Sequence, residues 1–252
     1  MNVKPTDKVL VHACCAPCSG AILEWFVQHQ LSPERAEVAT GGAKGEEAVG
    51  IGLPTVFFSN ANIYPLAEYE LRRGELLRYA AQLGQKATGS NQEASSSRQE
   101  ATDDGQGPGS QEPKGLVVID DVYDHEAWRC AVRGLECEPE RGQRCLQCFR
   151  FRLERAARYA HEHGFNVLTT TLASSRWKDL EQVDAAGSYA CSLFPGLRWW
   201  GRNWRKGGLQ ERRSAIIREQ NFYNQTWCGC EFSHHDKTNE PTCPLPVEAP
   251  SR

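Results

Sequence analysis

The sequence predicts an α/β protein, a Rossmann-like layered domain with a mostly parallel sheet. Two observations lead to this prediction. Short runs of apolar and β-branched residues, each the length of one buried strand, recur along the chain. Amphipathic segments with a helical period separate these runs. This alternation is typical of parallel sheets, because each crossover between parallel strands usually contains a helix.

The predicted strands and helices follow one another in a regular order. Polar or turn residues bound each strand, and each helix carries an apolar stripe. The predicted strands are 8–13 (KVLVHA), 55–59 (TVFFS), 116–120 (LVVID) and 165–172 (FNVLTTTL). The first predicted helix begins near Ser19, the second follows Pro65, and the third spans 124–132. The fourth runs from Phe149 to a stop at Gly164, and the fifth includes Trp177, Leu180 and Val183.

The domain organisation is predicted from interruptions in this order. We expect a single α/β metalloenzyme domain over residues 1–233, with a helical C-terminal part. Residues 31–53 are glycine-rich and weakly patterned, which predicts a loop insert. Residues 85–114 have no aromatic residue and only alanine as an aliphatic one, which predicts a disordered, low-complexity insert. Residues 234–252 are predicted to form a flexible tail.

Length and charge limit the classes of protein that fit. The chain has 252 residues and a net charge of −3, so binding of nucleic acid would require a local basic patch. It lacks a run of about 18 apolar residues, the length that would span a membrane. The polar start, Met1–Lys8, lacks the apolar core of a secretion signal. We therefore expect a cytoplasmic protein that does not associate with a membrane.

Eleven cysteines are the most informative feature of the composition. Disulfide scaffolds belong mainly to small secreted proteins, whereas closely spaced cysteines in a reducing compartment more often bind metal or perform redox chemistry. Their uneven spacing also favours metal or redox use. The cysteines are Cys14, Cys15, Cys18, Cys130, Cys137, Cys145, Cys148, Cys191, Cys228, Cys230 and Cys243.

Cys14, Cys15 and Cys18 lie on the predicted turn from the first strand into the first helix. In open α/β sheets such a turn is at the carboxyl end of a strand, where ligands usually bind. The free N–H groups of a helix N-terminus also favour thiolates and anions. The preceding His12 is more often a satisfied core residue than a ligand in this position.

Cys145 and Cys148 form a C-x-x-C motif just before a predicted helix. Alone, the motif fits a zinc half-site or a thioredoxin-like redox pair. Together with Cys14 and Cys15 it supplies four thiolates, which zinc or a [4Fe–4S] cluster would each accept. Adjacent cysteines reach two irons of a cluster more easily than one tetrahedral zinc, which favours the cluster, although spacing does not decide between them.

Cys228 and Cys230 form a C-x-C motif around Gly229. The small ring that such a pair can close is strained, and strained disulfides are easily reduced. The motif therefore suits a redox-cycling pair, and the alternative is that both thiols bind metal.

A basic and aromatic stretch lies between Arg198 and Arg218. Cations hold phosphates and aromatic faces stack on unpaired bases, so the stretch suits a single-stranded RNA loop. The alternative is a surface helix whose tryptophans pack inward. The residues concerned are Arg198, Trp199, Trp200, Arg202, Trp204, Arg205, Lys206, Arg212, Arg213 and Arg218.

Five motifs together resemble the cobalamin-independent epoxyqueuosine reductases, the QueH family. The motifs occur in the family's order, and the resemblance covers most of the chain outside 31–53, 85–114 and the tail. The family reduces epoxyqueuosine to queuosine at the wobble position of tRNA with a GUN anticodon. The motifs are VHACCAPCS, NANIYPLAEYELR, EPERGQRCLQCFRFRL, FNVLTTTLASSRWKDL and WCGCEFS.

The resemblance implies an iron–sulfur oxidoreductase of queuosine biosynthesis. It implies that Cys14, Cys15, Cys145 and Cys148 hold a [4Fe–4S] cluster, and that a further mononuclear iron lies beside it. Cys18 stands where some relatives have aspartate, so it is a candidate metal ligand. The resemblance also implies that Cys228 and Cys230 are the redox-active pair or supporting ligands. The resemblance implies tRNA and an unidentified electron donor as partners, and the candidates for the proton donor are Tyr64 and His12.

Two other functions compete with this one. A structural zinc-binding protein that binds RNA would use the cysteines to hold loops together. A thiol–disulfide oxidoreductase would work through Cys228 and Cys230 without metal.

Overall fold

The structure, a computed structural model, describes residues 3–29, 51–87 and 116–233. In these ranges five strands form one sheet, in which all neighbouring strands are parallel. The predicted α/β class and parallel sheet are thereby confirmed. The strands are β1 (Val9–Ala13), β2 (Thr55–Phe58), β3 (Val118–Asp120), β4 (Val167–Thr170) and β5 (Arg198–Trp199). The α-helices are α1 (Ala16–Gln28), α2 (Leu66–Ala87), α3 (His125–Ala131), α4 (Gln143–Glu162), α5 (Leu180–Ser192) and α6 (Leu209–Glu219).

The strand order β3-β2-β1-β4-β5 places β1 at the centre of the sheet. All five residues of β1 are buried, as expected for a strand with a neighbour on each side. The chain runs outward from β1 to β2 and β3, and then returns to β4 on the other side of β1. This reversal makes the carboxyl ends of β1 and β4 a topological switch point, which is where open α/β sheets bind ligands.

The helices fall into two packing groups. Helix α1 packs against α2 and α6, whereas α4 packs against α3 and α5. Phe26 of α1 and Trp204 are almost fully buried, and their ring centres lie 5.9 Å apart. Each fully buried side chain of this size stabilises the fold by roughly 2–3 kcal/mol. Apolar residues of the predicted stripes, such as Phe26, thus form part of the core, whereas Trp177, predicted to lie in a helix with Leu180 and Val183, precedes α5 and is exposed.

The tryptophans of the basic and aromatic stretch pack inward. Trp200 and Trp204 are 8 % and 1 % exposed. The guanidinium of Arg202 lies 4.1 Å from the ring centre of Trp25 and 4.6 Å from that of Trp204. These tryptophans pack inward, as the alternative interpretation predicted, although they precede α6 and do not lie on a surface helix.

Several of its arginines are also committed to contacts within the chain. Arg198 pairs with Asp7 at 2.5 Å. Arg212 pairs with Glu24 at 2.6 Å and with Glu219 at 2.8 Å. Arg198 and Arg212 are thus not free to hold phosphates.

Some predicted boundaries are wrong. Strand β5 was not predicted, because its two residues are too few to give a pattern. Helix α4 begins at Gln143, so the C-x-x-C motif lies inside the helix rather than before it. Helix α2 continues to Ala87, past the predicted start of the low-complexity insert at 85.

The predicted inserts and tail can be compared with the structure only at their edges. Ile51, within the predicted loop insert, is 2 % exposed, and its N–H donates to the His29 carbonyl at 3.1 Å. The rest of the predicted loop insert, low-complexity insert and tail (31–50, 88–114 and 234–252) lies outside the described residues.

None of the described helices is both long enough and apolar enough to cross a bilayer.

Gly187 of α5 provides a test of this packing. A Cβ at this position would lie 2.3 Å from Cε2 of Trp199, whose indole N–H donates to Asp184 at 3.2 Å. We expect Gly187→Ala to lower the free energy of unfolding by roughly 1–3 kcal/mol, measured by urea denaturation, because the indole must move.

Gly74 of α2 is the matched control. A Cβ there would have no neighbour within 4 Å. Gly74→Ala should therefore raise the free energy of unfolding by about 0.5–1 kcal/mol, the usual gain of alanine over glycine in a helix. Equal stabilisation by both substitutions would contradict the packing of Trp199 on α5.

Candidate metal centre

The first three candidate ligands lie at the carboxyl end of the central strand. Cys14 follows β1 directly, Cys15 is the N-cap of α1 with an extended backbone (φ −173°, ψ 163°), and Cys18 is in the first turn of α1. Pro17 favours helix initiation here, because its ring fixes a helical φ where an N–H would have no partner. The three thiols thus surround a helix N-terminus, whose partial positive charge favours thiolates.

The sulfur atoms of Cys14, Cys15 and Cys18 all lie within 4.8 Å of one another. The Sγ atoms of Cys14 and Cys15 are 3.8 Å apart. Two sulfurs bound to one four-coordinate ion, each at about 2.3 Å, are about 3.8 Å apart, so the three thiols can hold a metal. The adjacency of Cys14 and Cys15 therefore does not by itself favour a cluster over a single zinc ion.

Hydrogen bonds make these three cysteines unequal as acids. Bonds from the Cys15 and Cys18 thiols, assisted by the charge of Arg152, hold the pKa of Cys14 well below its usual range. The same bond to Cys14 raises the pKa of Cys18 to about 11 and that of Cys15 well above its usual range. Without metal, Cys14 is thus the thiolate of the three.

Two polar residues that the sequence did not reveal hold this group in place. The Cys14 N–H donates to Oγ1 of Thr171 at 3.1 Å, and the same oxygen is 3.4 Å from Cys14 Sγ. Gln225 Nε2 donates to Cys15 Sγ at 2.7 Å. Thr171 follows β4 directly, at the edge where ligands are expected, whereas nothing in the sequence around Gln225 indicates this contact.

Cys145 and Cys148 lie near the start of α4, three residues apart and so on the same helical face. Cys148 is 8 % exposed. The Arg141 N–H donates to Cys145 Sγ at 3.2 Å. Burial raises the pKa of Cys145, and the negative charges of Cys148 and Cys228 act in the same direction.

Cys228 and Cys230 are both free thiols. Gly229 between them has φ +97°, which favours glycine, and a Cβ there would lie 2.9 Å from Ile63. A hydrogen bond from Cys230 and the charge of Lys178 hold the pKa of Cys228 well below its usual range, while the pKa of Cys230 is raised. This pair therefore combines the thiolate of Cys228 with the thiol of Cys230, just as the first group combines the thiolate of Cys14 with two thiols.

One cavity of about 530 Å³ is lined by residues from both ends of the chain. Every cysteine singled out from the sequence as a site residue contributes to its wall. The structure therefore brings together thiols that are more than 200 positions apart. The lining cysteines are Cys14, Cys15, Cys18, Cys145, Cys148, Cys228 and Cys230.

The cavity wall carries a strong excess of positive charge. Seven cationic side chains and two carboxylates line it, in a chain whose net charge is −3. Such an excess balances thiolate charge, which would otherwise be costly to bury. The cations are Arg72, Arg141, Arg144, Arg152, Arg176, Lys178 and Arg213, and the carboxylates are Glu140 and Asp179.

Arg152 is a buried cation of this wall that contacts the sheet edge. It is 3 % exposed and donates to the Ser59 carbonyl at 3.2 Å and to Oδ1 of Asn60. Because Arg152 follows Cys148 by four positions and Cys145 by seven, all three share one face of α4. This helical spacing from Cys145 and Cys148 could have identified Arg152 as a site residue from the sequence.

Neither candidate proton donor lines the cavity. His12 is fully buried, with Nδ1 2.8 Å from Thr170 Oγ1 and Nε2 3.1 Å from the Ser59 carbonyl. Burial and the charge of Arg152 lower its pKa to about 3, so it is a neutral core residue. The Tyr64 ring stacks on His125 with ring centres 5.1 Å apart.

The order of cysteine acidities predicts the pH dependence of alkylation in metal-free protein. Below about pH 8, the usual range of a free thiol, iodoacetamide should modify Cys14 before Cys15 and Cys18, and Cys228 before Cys230, because a lowered pKa leaves more thiolate at a given pH. Cys18, with a pKa of about 11, and Cys191, raised by burial to about 12, should react only as the pH approaches those values. Peptide mass spectrometry after timed labelling gives the order, and faster labelling of Cys18 than of Cys14 would contradict it.

Comparison with known proteins identifies the family of this chain. The sequence model of the family described as "Epoxyqueuosine reductase QueH" matches residues 92–236, more than half of the chain. Proteins named epoxyqueuosine reductase QueH from Histophilus somni and Haemophilus influenzae are 36 % and 35 % identical over 91 % of this chain and 73 % of their own length. One from Acinetobacter baylyi is 35 % identical over 91 % of this chain and 82 % of its own. The chain belongs to the QueH family of epoxyqueuosine reductases.

Proposed function

We propose that this chain reduces epoxyqueuosine to queuosine at the wobble position of tRNA with a GUN anticodon, the last step of queuosine biosynthesis. One observation carries the proposal: in a chain of the QueH family, cysteines from three separate segments line a single cavity. Such a concentration of soft ligands and candidate thiolates in one pocket is typical of a metal or redox site.

The reaction removes the epoxide oxygen from the modified base. Both carbon–oxygen bonds of the epoxide break, a carbon–carbon double bond forms, and the oxygen leaves as water. The balance requires two electrons and two protons. A one-electron reductant must therefore deliver two equivalents for each turnover, and dithionite serves as such a donor in an assay.

The donor set of the cavity fits an iron–sulfur centre. Thiolates are the ligands of such clusters, and Cys14, Cys15, Cys145 and Cys148 would supply the four that a [4Fe–4S] cluster requires. Cys18, whose sulfur lies within 4.8 Å of those of Cys14 and Cys15, would hold a further iron beside it. When bound, the cluster supplies electrons singly and the further iron supplies Lewis acidity.

The chain's own residues perform the remaining tasks. The cationic wall, including Arg152, balances the thiolate charge. Because Cys228 is the thiolate of the pair, closing a disulfide with Cys230 can supply the two electrons of one turnover and one of its two protons, and the second proton must come from another donor. In the proposed cycle the external donor then reduces this disulfide. Lys178 lines the same wall, and although burial acts to lower its pKa, the charge of Cys228 and other thiolates raises it, so it remains protonated.

A structural zinc site is the alternative that the geometry keeps open, because the 3.8 Å separation of the Cys14 and Cys15 sulfurs also fits one zinc ion. Metal content separates the two functions. Protein that contains stoichiometric zinc, with neither iron nor sulfide after anaerobic purification, would favour the structural one.

Cys145→Ala tests the ligand set. The variant, purified and reconstituted with iron and sulfide without oxygen, should lose the cluster's visible absorbance and at least about 100-fold in turnover, because one of four ligands is missing. Turnover is measured as the loss of one oxygen atom from the nucleoside of epoxyqueuosine-containing tRNA, by mass spectrometry, with dithionite as donor.

Cys130→Ser is the matched control, since Cys130 is an exposed free thiol that does not line the cavity. Its absorbance and turnover should equal those of the wild type. Full absorbance and turnover in Cys145→Ala would refute the ligand assignment, and a wild-type protein without turnover would refute the substrate.

Cys228→Ser tests the redox pair separately. If Cys228 and Cys230 carry electrons, the variant should keep its iron and sulfide content while turnover falls by at least about 100-fold, the scale of losing a proton-transferring group. Loss of iron together with activity would instead make Cys228 a metal ligand.

A further inference from the structure

Trp177 lies on the wall of the cavity and yet leaves 66 % of its surface exposed. It occupies a short loop between the 3₁₀ turn Thr171–Ser174 and α5. Trp25, Trp128, Trp200 and Trp204 are instead packed in the core. An exposed indole at the mouth of a polar cavity has an apolar face available for another ring.

The backbone around Trp177 is held firmly although the side chain is exposed. Arg141 Nε donates to the Trp177 carbonyl at 3.0 Å. The Arg205 guanidinium donates to the Ser175 carbonyl and, at 2.7 Å, to the Lys178 carbonyl. Two arginines thus fix a four-residue loop. Since the loop is already ordered, a ligand that stacks on the indole would pay little further entropy.

The charge around the indole is positive. The Arg176 guanidinium lies 4.9 Å from the centre of the Trp177 ring. In the part of the chain that the structure describes, no hydrogen bond or ion pair engages the guanidinium of Arg176 or Arg213, and both line the cavity. Most of the other lining arginines are bound to groups of the protein, so these two are available to an anionic ligand.

We propose that Trp177 and Arg176 form a platform that receives an unpaired base and its phosphate from a single-stranded RNA loop. The inference rests on the proposed function and specifies how the RNA is seated at the same site. The base next to the target nucleotide stacks on Trp177, while Arg176 binds a backbone phosphate. The cavity of about 530 Å³ is of the size that holds one small ligand, so the target nucleoside enters it and the helical stem stays outside.

Charge complementarity favours RNA as the occupant of this platform. A partner protein would be expected to cover a larger apolar patch, whereas here one indole is surrounded by cations. A fully paired duplex presents phosphates but no free base face. Only a polyanion with unpaired bases would contact both the exposed indole and the surrounding cations.

Binding of a fluorescently labelled anticodon stem-loop, without the modification and without reductant, tests the aromatic half of the platform. Trp177→Ala should weaken binding by roughly ten-fold, the usual effect of losing one stacked base, and Trp177→Phe should restore most of it. Tyr189→Ala is the matched control. Tyr189 is 43 % exposed with Arg150 5.0 Å from its ring centre, but it does not line the cavity.

The cationic half is tested by the dependence of binding on salt. Arg176→Gln should reduce the slope of log affinity against log salt by about one, because one phosphate contact is lost. Arg218→Gln removes the same charge from an exposed position outside the cavity and should leave the slope unchanged. If Trp177→Ala is destabilised, Trp177→Phe and Arg176→Gln still decide the question.

Unchanged stem-loop binding in Trp177→Ala and Arg176→Gln would overturn the platform even if the wild type converts its substrate. Equal competition by a fully paired duplex would overturn it as well. A loss of affinity confined to an acidic electron-donor protein would assign the surface to that protein instead. Conversely, weakened stem-loop binding in the variants, with no turnover in the wild type, would keep the platform and reject the proposed reaction.

Discussion

The structure depends on the burial of several thiols at one edge of a parallel sheet, among fixed positive charges. Three sulfurs within 4.8 Å of one another cannot all ionise unless cations or a metal balance them. Without metal, the chain resolves this by keeping one thiolate, Cys14, which accepts hydrogen bonds from its two neighbours. Arg152 and the rest of the cationic wall supply the remaining compensation. A metal would replace those hydrogen bonds with coordinate bonds.

The topology explains why these groups meet. The reversal of strand order between β1 and β4 opens a crevice at the carboxyl edge, and Cys14 and Thr171 lie on its two sides. Helix α4 brings Cys145, Cys148 and Arg152 to the same cavity on one face. The segment after α6 then adds Cys228 and Cys230. Each contribution thus comes from a separate part of the chain, and the fold brings these parts to one cavity.

Much of this arrangement could be predicted from the sequence. Strands such as β1 and β4 are continuous apolar or β-branched runs, and Cys14 follows the first of them directly, so its position at the sheet edge follows from topology alone. Contacts that depend on tertiary packing could not be predicted. Gln225 reaches Cys15 from a segment without a pattern, and Arg198 and Arg212 are engaged by Asp7 and Glu24, which are distant in sequence. The adjacency of Cys14 and Cys15 was also a weaker guide to the metal than expected, since the separation of their sulfurs also fits a single ion.

The central claim is that thiols from distant parts of the chain converge and together hold an iron–sulfur centre. The mass of the intact protein tests this claim most directly. Native mass spectrometry of protein purified without oxygen measures the mass of the metal and sulfide bound to the folded chain. The folded chain should carry an added mass that corresponds to four irons and four sulfides, with or without one further iron, and should lose it on unfolding. A chain that carries one zinc ion, or no inorganic mass, under conditions that reconstitute iron–sulfur proteins would contradict it.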